Sequence, residues 1–497
     1  MLAGTDFVVI FLYVLLMVWI GLIARRRSGN VDEYFTAGHN LPWWMAAVSH
    51  HVSGYSAVVF VGFAGRAVIA GFSIWTLFSL GVFTAMVVGF RIWPPRWSRL
   101  KVLTPVEYLE TRYNNTVRLV LAAIGILKKF IDLGIKLFAI SVVVHVVTGW
   151  DVLSVIIVAG LITVVYVLVG GLWATVLTDL IQFVIQLGMS LVVLYMVLAA
   201  VGGWDRMWEQ LPVERSALFN DAAGIGMWFW LVYLVVIVFS YNGGTWGLAQ
   251  RFISVGDSQD TQKAALLSGV LFLLYPIVIF IPAWAAPLIL PESFDPVTMM
   301  PLAGFDLEHT YIRVTQKMLG GLTPGLLGLL ICSMFAATMS MIDSDLNSMA
   351  AVFTKDIYQR NSKKTIAEEV LFKVGMISTV VFGLVVIVAA VLISRSGGAE
   401  KVFTITVKFL GGISAPIAIP FMLGLLWKRP TARGAILSLV GGLLTYAIAI
   451  QFTDRFEIYT GCEMLVSLAL FFGDGLLSRH SAEKEAEIEA MFGKIED

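Results

Sequence analysis

Runs of apolar residues long enough to cross about 30 Å of hydrocarbon recur along the whole chain. Thirteen can be counted, at roughly 6–24, 42–66, 71–91, 118–147, 152–170, 174–200, 226–249, 264–290, 321–352, 370–393, 402–426, 432–451 and 458–475. A backbone in lipid has no water to bond to, so such runs read as helices. With 58% hydrophobic and only 14% charged residues among 497, the chain lies outside the range of soluble domains. The expected fold is an all-α polytopic membrane protein of about thirteen transmembrane helices. No soluble domain of useful size interrupts the spans, which makes residues 1–480 one transmembrane domain. Residues 481–497, with Glu483, Glu485, Glu487 and Glu489, form a polar tail, helical or disordered. Cys332 and Cys462 are the only cysteines, so neither a disulfide framework nor a cysteine-based metal site is encoded. The expected partners are the lipid bilayer and a small molecule, with no nucleic acid and a monomeric functional unit.

The first run begins with Asp6 and ends in Arg25-Arg26-Arg27, which reads as a retained span and not as a signal peptide. Basic residues follow the odd-numbered spans: Arg25–Arg27, Arg91 to Arg118, Arg251 and Lys263, Lys355, and Lys428 to Arg433. The positive-inside rule then puts the N-terminus outside and the C-terminus in the cytoplasm, in a plasma membrane, bacterial by its short loops. One peripheral span, five, five and two more is a natural parsing. It leaves halves at about 42–200 and 226–426, each with an odd number of crossings and therefore of opposite topology, an inverted five-plus-five repeat. Both halves open on a span interrupted by small polar residues, Ser49-His50-His51-Val52-Ser53-Gly54-Tyr55-Ser56 and Ser240-Tyr241-Asn242-Gly243-Gly244-Thr245-Trp246-Gly247. Glycine permits unwinding, and unwound backbone offers carbonyls to a cation and amides to a solute; close helix packing is the other reading.

The span 321–352 carries a polar stripe. Ser340, Asp343, Ser344 and Asn347 fall at i, i+3, i+4 and i+7 and share one helix face. A carboxylate in hydrocarbon costs roughly 2.5 to 3.5 kcal/mol by insertion scales and persists where something binds it. Asp343 is thus a direct cation ligand, a proton carrier, or a hydrogen-bond post between helices. Asp345 points elsewhere and reads as a partner for the cytoplasmic end. Lys128, Asp132 and Lys136 stack at i, i+4 and i+8, either neutralising one another or leaving Asp132 to contact a solute; Lys129, about 100° away, snorkels or caps a carbonyl. Lys408 sits inside the eleventh span and needs an anion: Asp132, Asp343 or a solute carboxylate. His50 and His51 are titrating groups or satisfied neutral donors.

Several stretches together resemble the solute:sodium symporter family, which includes sodium/glucose, proline and sialic acid transporters. They are Asp32-Glu33-Tyr34-Phe35-Thr36-Ala37-Gly38 with Leu41-Pro42-Trp43-Trp44; Gly170-Gly171-Leu172-Trp173-Ala174-Thr175-Val176-Leu177-Thr178-Asp179-Leu180-Ile181-Gln182; Gln250-Arg251; Asp343 to Ser348 leading to Lys355-Asp356-Ile357-Tyr358; and Gly424-Leu425-Leu426-Trp427-Lys428-Arg429 with Gly434-Ala435. The likeness spans about residues 30 to 440. It implies a leucine-transporter-like fold, alternating access, and uptake of an organic solute with Na+ as the coupling ion. The family's main sodium site maps onto Val52, Tyr55, Ala337, Ser340 and Met341. A thioether is a poor ligand for a hard cation, so Asp343 and Ser344 are the natural substitutes, and a second family site maps onto Asp179, Ser340, Asp343 and Ser344. Asp179, with Thr178 and Gln182, is alternatively a brace between helices. The resemblance and the polar breaks nominate Ser53, Ser56, Asp132, Tyr241, Asn242, Trp246 and Lys408 for the solute, Tyr241 as its cover from the inside.

The expected function is sodium-coupled symport of a small polar organic solute: a sugar, sugar acid or related organic acid. Met341, His50 and His51 motivate the alternative of a proton-coupled or uncoupled carrier of the same fold. A membrane enzyme is disfavoured, since no metal-ligand spacing such as H-E-x-x-H occurs.

Overall fold

A computed structural model describes residues 3–24, 31–168, 171–320, 324–362, 366–395 and 402–496. Arg25–Arg27 and Gly170 lie outside the described residues. Secondary structure among the described residues is helical apart from two isolated bridges in loops. The long helices are α1 (Gly4–Ala24), α2 (Trp43–Val52), α3 (Ala64–Ala70, entered through a π-helical turn Val59–Phe63), α4 (Gly81–Gly89), α5 (Asn115–Thr148), α6 (Val152–Val167), α7 (Gly171–Val201), α8 (Met227–Phe239), α9 (Trp246–Ile253) and α10 (Ser258–Trp284). Then follow α11 (Leu326–Val352), α12 (Glu368–Arg395), α13 (Val402–Phe409), α14 (Ala415–Leu423), α15 (Ala432–Ala449), α16 (Phe456–Leu477) and α17 (Ala482–Glu496).

Among the described residues, ten helical segments are long and apolar enough to cross a membrane, or eleven when the bent pair Ser73–Gly89 and Pro94–Leu100 is one span. The expected count of thirteen is not reached by length alone. The two remaining candidates are short for geometric reasons: α2 and α3 are halves of one interrupted segment, and α6 has only 16 residues.

Local sequence sets the boundaries. Asn114 accepts a hydrogen bond from the Val117 amide at 2.9 Å to start α5, and Gly149, with φ of 75°, ends it. Asp257 caps α10 by accepting from the Gln259 amide at 2.8 Å. The lipid-exposed faces of α1 and α12 keep Phe11, Trp19, Ile377 and Leu392 outward, whereas α11 is buried along most of its length. Around α11 pack α1, α5, α7, α9 and α12, while α2 lies against α7, α9 and α10.

Basic residues that mark loops in the sequence are partly consumed inside the protein. Arg112, with no exposure, donates to the carbonyls of Gly424, Pro430 and Trp427 at 3.0, 3.0 and 2.6 Å. Arg118 pairs with Glu110 at 2.5 Å and with Asp356. The tail is an ordered helix. Ile488, Met491, Phe492 and Ile495 of α17 are buried at i, i+3, i+4 and i+7, against the helices Pro94–Leu100 and Tyr108–Arg112.

Candidate functional site

The first break falls where the Ser/Gly cluster predicts it. α2 stops at Val52 and the chain opens through Gly54 to Ser56. Ser53 Oγ lies 3.0 Å from Ser340 Oγ and 3.1 Å from Ser344 Oγ, and the Ala57 amide donates to Thr338 Oγ1 at 2.9 Å. These bonds stitch the break to the polar stripe of α11. Val52, Tyr55, Asp179, Ala337, Ser340, Asp343 and Ser344 are all buried, none more than 2% exposed. Ser49 of α2 donates to Asp179 of α7, and the Tyr55 hydroxyl donates to Gln186 of α7 at 2.8 Å. Of the nominated ion residues, Asp179, Ser340, Asp343 and Ser344 are linked through Ser49, Ser53 and Arg251 where α2, α7 and α11 meet, while Val52, Tyr55 and Ala337 are buried on the same segments. Met341, one helical step round from Ser340, lines the cavity described below, as Tyr55 does.

At the centre of the cluster is a residue read from sequence as a loop cation. Arg251, in the last turn of α9, has no exposure. Its guanidinium donates to Ser49 Oγ at 2.9 Å, Ser53 Oγ at 3.2 Å, Ser344 Oγ at 2.5 Å and Asp179 Oδ2 at 3.4 Å. The planar fork suits this many oxygens in a way an ammonium does not. The signal available in the sequence was the Gln250-Arg251 pair directly after the second break.

Asp343 is treated differently. Its Oδ1 accepts from Ser344 Oγ at 3.3 Å, and its Oδ2, like Oδ1 of Asp179, is buried with no hydrogen-bond partner. Among the described residues no cation side chain lies within 4.0 Å of Asp343. The one guanidinium serves Asp179 and not Asp343, so the cluster carries one negative charge in excess. A buried carboxylate in that position is stable with a cation or a proton bound.

The second break, Ser240–Gly244 and Thr245, is tied to the first. Gly243 takes φ of 123°, and a Cβ there would stand 2.1 Å from the Trp97 indole nitrogen. Tyr241 donates its hydroxyl to the Gly54 carbonyl at 2.7 Å, and the Tyr241 carbonyl faces His50 Nε2 at 3.0 Å. His50 Nδ1 meets Ser268 Oγ at 2.7 Å. Nε2–H donates to the Tyr241 carbonyl and Nδ1 is hydrogen-bonded to a hydroxyl, so both nitrogens of His50 are satisfied. His51 is not satisfied: neither nitrogen has a partner, and the ring sits among Tyr55, Phe183, Phe272 and Tyr275 at centroid distances of 4.6 to 5.6 Å.

Beside these breaks lies a cavity of about 100 Å³ lined by Tyr55, Ser56, Asp132, Tyr241, Met341 and Thr406 among others. Ser56, Asp132 and Tyr241, all expected near the solute, line this cavity. Four nominated residues are elsewhere. Ser53 belongs to the ion cluster. Asn242 spends its amide on the carbonyls of Ala85 and Val238 at 2.9 and 2.8 Å, because its position in the helical turn faces α4. Trp246 packs on α5 at Gly125, where a Cβ would stand 2.1 Å from the ring. Lys408 is 43% exposed, pairs with Asp454 at 3.2 Å and lines a separate, larger cavity with Arg455 and Glu457, although its span is continuous from Val402 to Leu423. The lysine reading of α5 also changes. Lys129 neither snorkels nor caps; it pairs with Asp345 of α11 at 2.6 Å, and Lys136 pairs with Asp132 at 2.8 Å. Asp345 therefore bonds across to α5 and not to a cytoplasmic end.

A bundle broken at two facing helices, with an oxygen-lined charge pocket beside a small polar-walled cavity, is the arrangement of a secondary transporter. The model of the sodium:solute symporter family matches residues 34–442. The sodium/glucose cotransporter of Vibrio parahaemolyticus is 27% identical over 482 residues, covering 91% of this chain and 86% of that one. The sodium/sialic acid symporter SiaT of Proteus mirabilis is 25% identical, with 89% of each covered. In a solved structure, a substrate-bound outward-open Na+-coupled sialic acid symporter superposes with a TM-score of 0.83 at 22% identity over 96% of this chain and 98% of that chain. This likeness gives the leucine-transporter-like fold. The chain belongs to the sodium:solute symporter family: an integral membrane, sodium-coupled transporter of a small solute and not an enzyme.

Proposed function

We propose that this protein imports a small polar organic solute, a sugar, sugar acid or related organic acid, by alternating access, and that its sodium ion binds beside Asp343. The observation that carries the site is the unmatched buried charge: Asp343 Oδ2 and Asp179 Oδ1 lack partners beside the hydroxyls of Ser340 and Ser344. Sodium favours such hard oxygens, and Met341, turned to the solute cavity, leaves it no thioether to contend with. The backbone of Val52, Tyr55 and Ala337 completes the candidate oxygen set. Sodium bound there holds the first break against α11 and so favours the state that accepts solute, a reciprocal coupling free energy.

Ser56, Asp132 and Tyr241 are the proposed solute contacts retained from the sequence. Relatives named for glucose and sialic acid support the substrate range. Repeats at about 42–200 and 226–426 are supported by the breaks that open both halves. An outer N-terminus, a cytoplasmic C-terminus and a monomeric unit complete the reading. The test is solute counterflow in proteoliposomes with and without sodium at several pH values. Sodium-dependent exchange is expected; accumulation that ignores sodium and follows a proton gradient overturns it in favour of proton coupling.

A further inference from the structure

The charged groups around the solute cavity do not balance. Lys128, Asp132 and Lys136 of α5 all line it. Lys129 is matched by Asp345 at 2.6 Å and Lys136 by Asp132 at 2.8 Å, with weaker cross-pairs from Lys129 to Asp132 at 3.3 Å and Lys136 to Asp345 at 3.7 Å. The charges of both aspartates are thereby matched. Lys128 has no carboxylate within 4.0 Å and no hydrogen-bond partner among the described residues. Three lysines thus face two aspartates, and the surplus ammonium, that of Lys128, belongs to a residue that lines the cavity. An unpaired ammonium in a low-dielectric cavity calls for an anion.

A second observation points the same way. Thr406 and Ser414 line this cavity, and their hydroxyls are buried with no partner. Unmade hydrogen bonds of this kind are costly unless a ligand makes them. Taken with Ser56 and Tyr241, they form a polar wall for a solute bearing its own hydroxyl or amide groups.

We infer that the solute is a hydroxylated monocarboxylate and that Lys128 is its counter-charge. This rests on the symporter reading and narrows its substrate class. The ion cluster, one negative charge in excess, and the lysine cluster, one positive, meet on adjacent residues of α11: Ser344 bonds Arg251, and Asp345 bonds Lys129. Loading one sodium ion and one monoanion neutralises both clusters. Either ligand alone leaves a buried net charge next door, which supplies coupling between the sites through electrostatics.

The experiment is a thermal-shift titration of purified full-length protein in saturating sodium, using pairs that differ at the carboxylate: gluconate with sorbitol, glucuronate with glucose, N-acetylneuraminate with N-acetylmannosamine, and lactate with propane-1,2-diol. The acid of a pair stabilises the protein and its uncharged mate does not. In Lys128→Gln the affinity for that acid falls about 30-fold or more, the loss expected when one partner of a buried charge pair is removed. Lys128→Arg, which keeps the charge, retains binding and guards against misfolding as the cause. Uncharged mates binding as tightly as the acids overturn the inference, as does unchanged acid affinity in Lys128→Gln. Replacing sodium by potassium separates the two readings. Acid binding that is equal in potassium defeats the proposed coupling while leaving Lys128 as the anion site; sodium-dependent binding of uncharged mates does the reverse.

Discussion

Arg251 holds Asp179 at 3.4 Å with neither side chain exposed, and the same guanidinium stops short of Asp343. The fold thus places a resident cation on one carboxylate of a pair and leaves its neighbour without one. If sodium binds at Asp343 as proposed, ion binding and structural integrity separate by mutation.

Asp343→Asn removes the free charge and keeps the shape. Sodium affinity is expected to fall about tenfold or more, because an amide oxygen carries no net charge to the ion. Sodium-induced thermal stabilisation reads this directly. Met341→Ser, on the cavity side, alters solute affinity more than sodium affinity.

Arg251→Lys is not a conservative change. One ammonium cannot bridge Ser49, Ser53, Ser344 and Asp179 as the fork does, and breaking a buried pair costs about 3–5 kcal/mol. A lowered melting temperature in detergent, for Lys and Met alike, is the expected result.

Gly54→Ala tests the break. An added Cβ would stand 2.3 Å from Phe272 Cζ and 3.1 Å from Tyr241 Cε1, so the two breaks are forced apart. Overpacking of this kind costs about 1–3 kcal/mol. Phe272→Ala in the same chain is expected to recover part of the lost uptake.

Glu110 links the start of α5 to Arg360, just past the π-helical turn Phe353–Gln359 that continues α11, accepting from Arg360 Nε at 3.0 and 2.9 Å and from Arg118 at 2.5 Å. The Arg360 hydrogen bonds, with Arg118, hold its carboxyl below the ordinary value of 4.5. A depressed folded pKa stabilises fully above the unfolded value and is lost as pH falls through the folded one. The melting-temperature gap between wild type and Glu110→Gln is therefore expected at neutral pH and to close on acidification below 4.5.

Phe492→Asp is expected to release α17. Phe492 has no exposure, and the Lys428 ammonium sits 5.1 Å from its ring centroid. Limited proteolysis then cleaves the tail, while sodium binding in the distant core is unchanged.

The apolar runs, the two interrupted helices and the polar face of α11 are legible in the sequence, because each follows from local periodicity and from glycine's tolerance of open backbone. The amphipathic spacing of Ile488, Met491, Phe492 and Ile495 is equally local. Charge pairing is not. Arg251 reads as a loop cation because its position just past a break says nothing of the four oxygens that three other segments bring to it. Lys408 reads as a partner of Asp132, Asp343 or the solute because the sequence does not reveal its pairing with Asp454, and Asn242 reads as a solute ligand until its rotation toward α4 is known. Which of Lys128, Lys129 and Lys136 is left unmatched depends on Asp345, more than 200 residues away. Periodicity determines which helices form and which faces they bury; long-range packing alone decides which buried charges find partners and which wait for an ion or a solute, because electrostatic matching in a low dielectric acts over a few ångströms between elements with no sequence proximity.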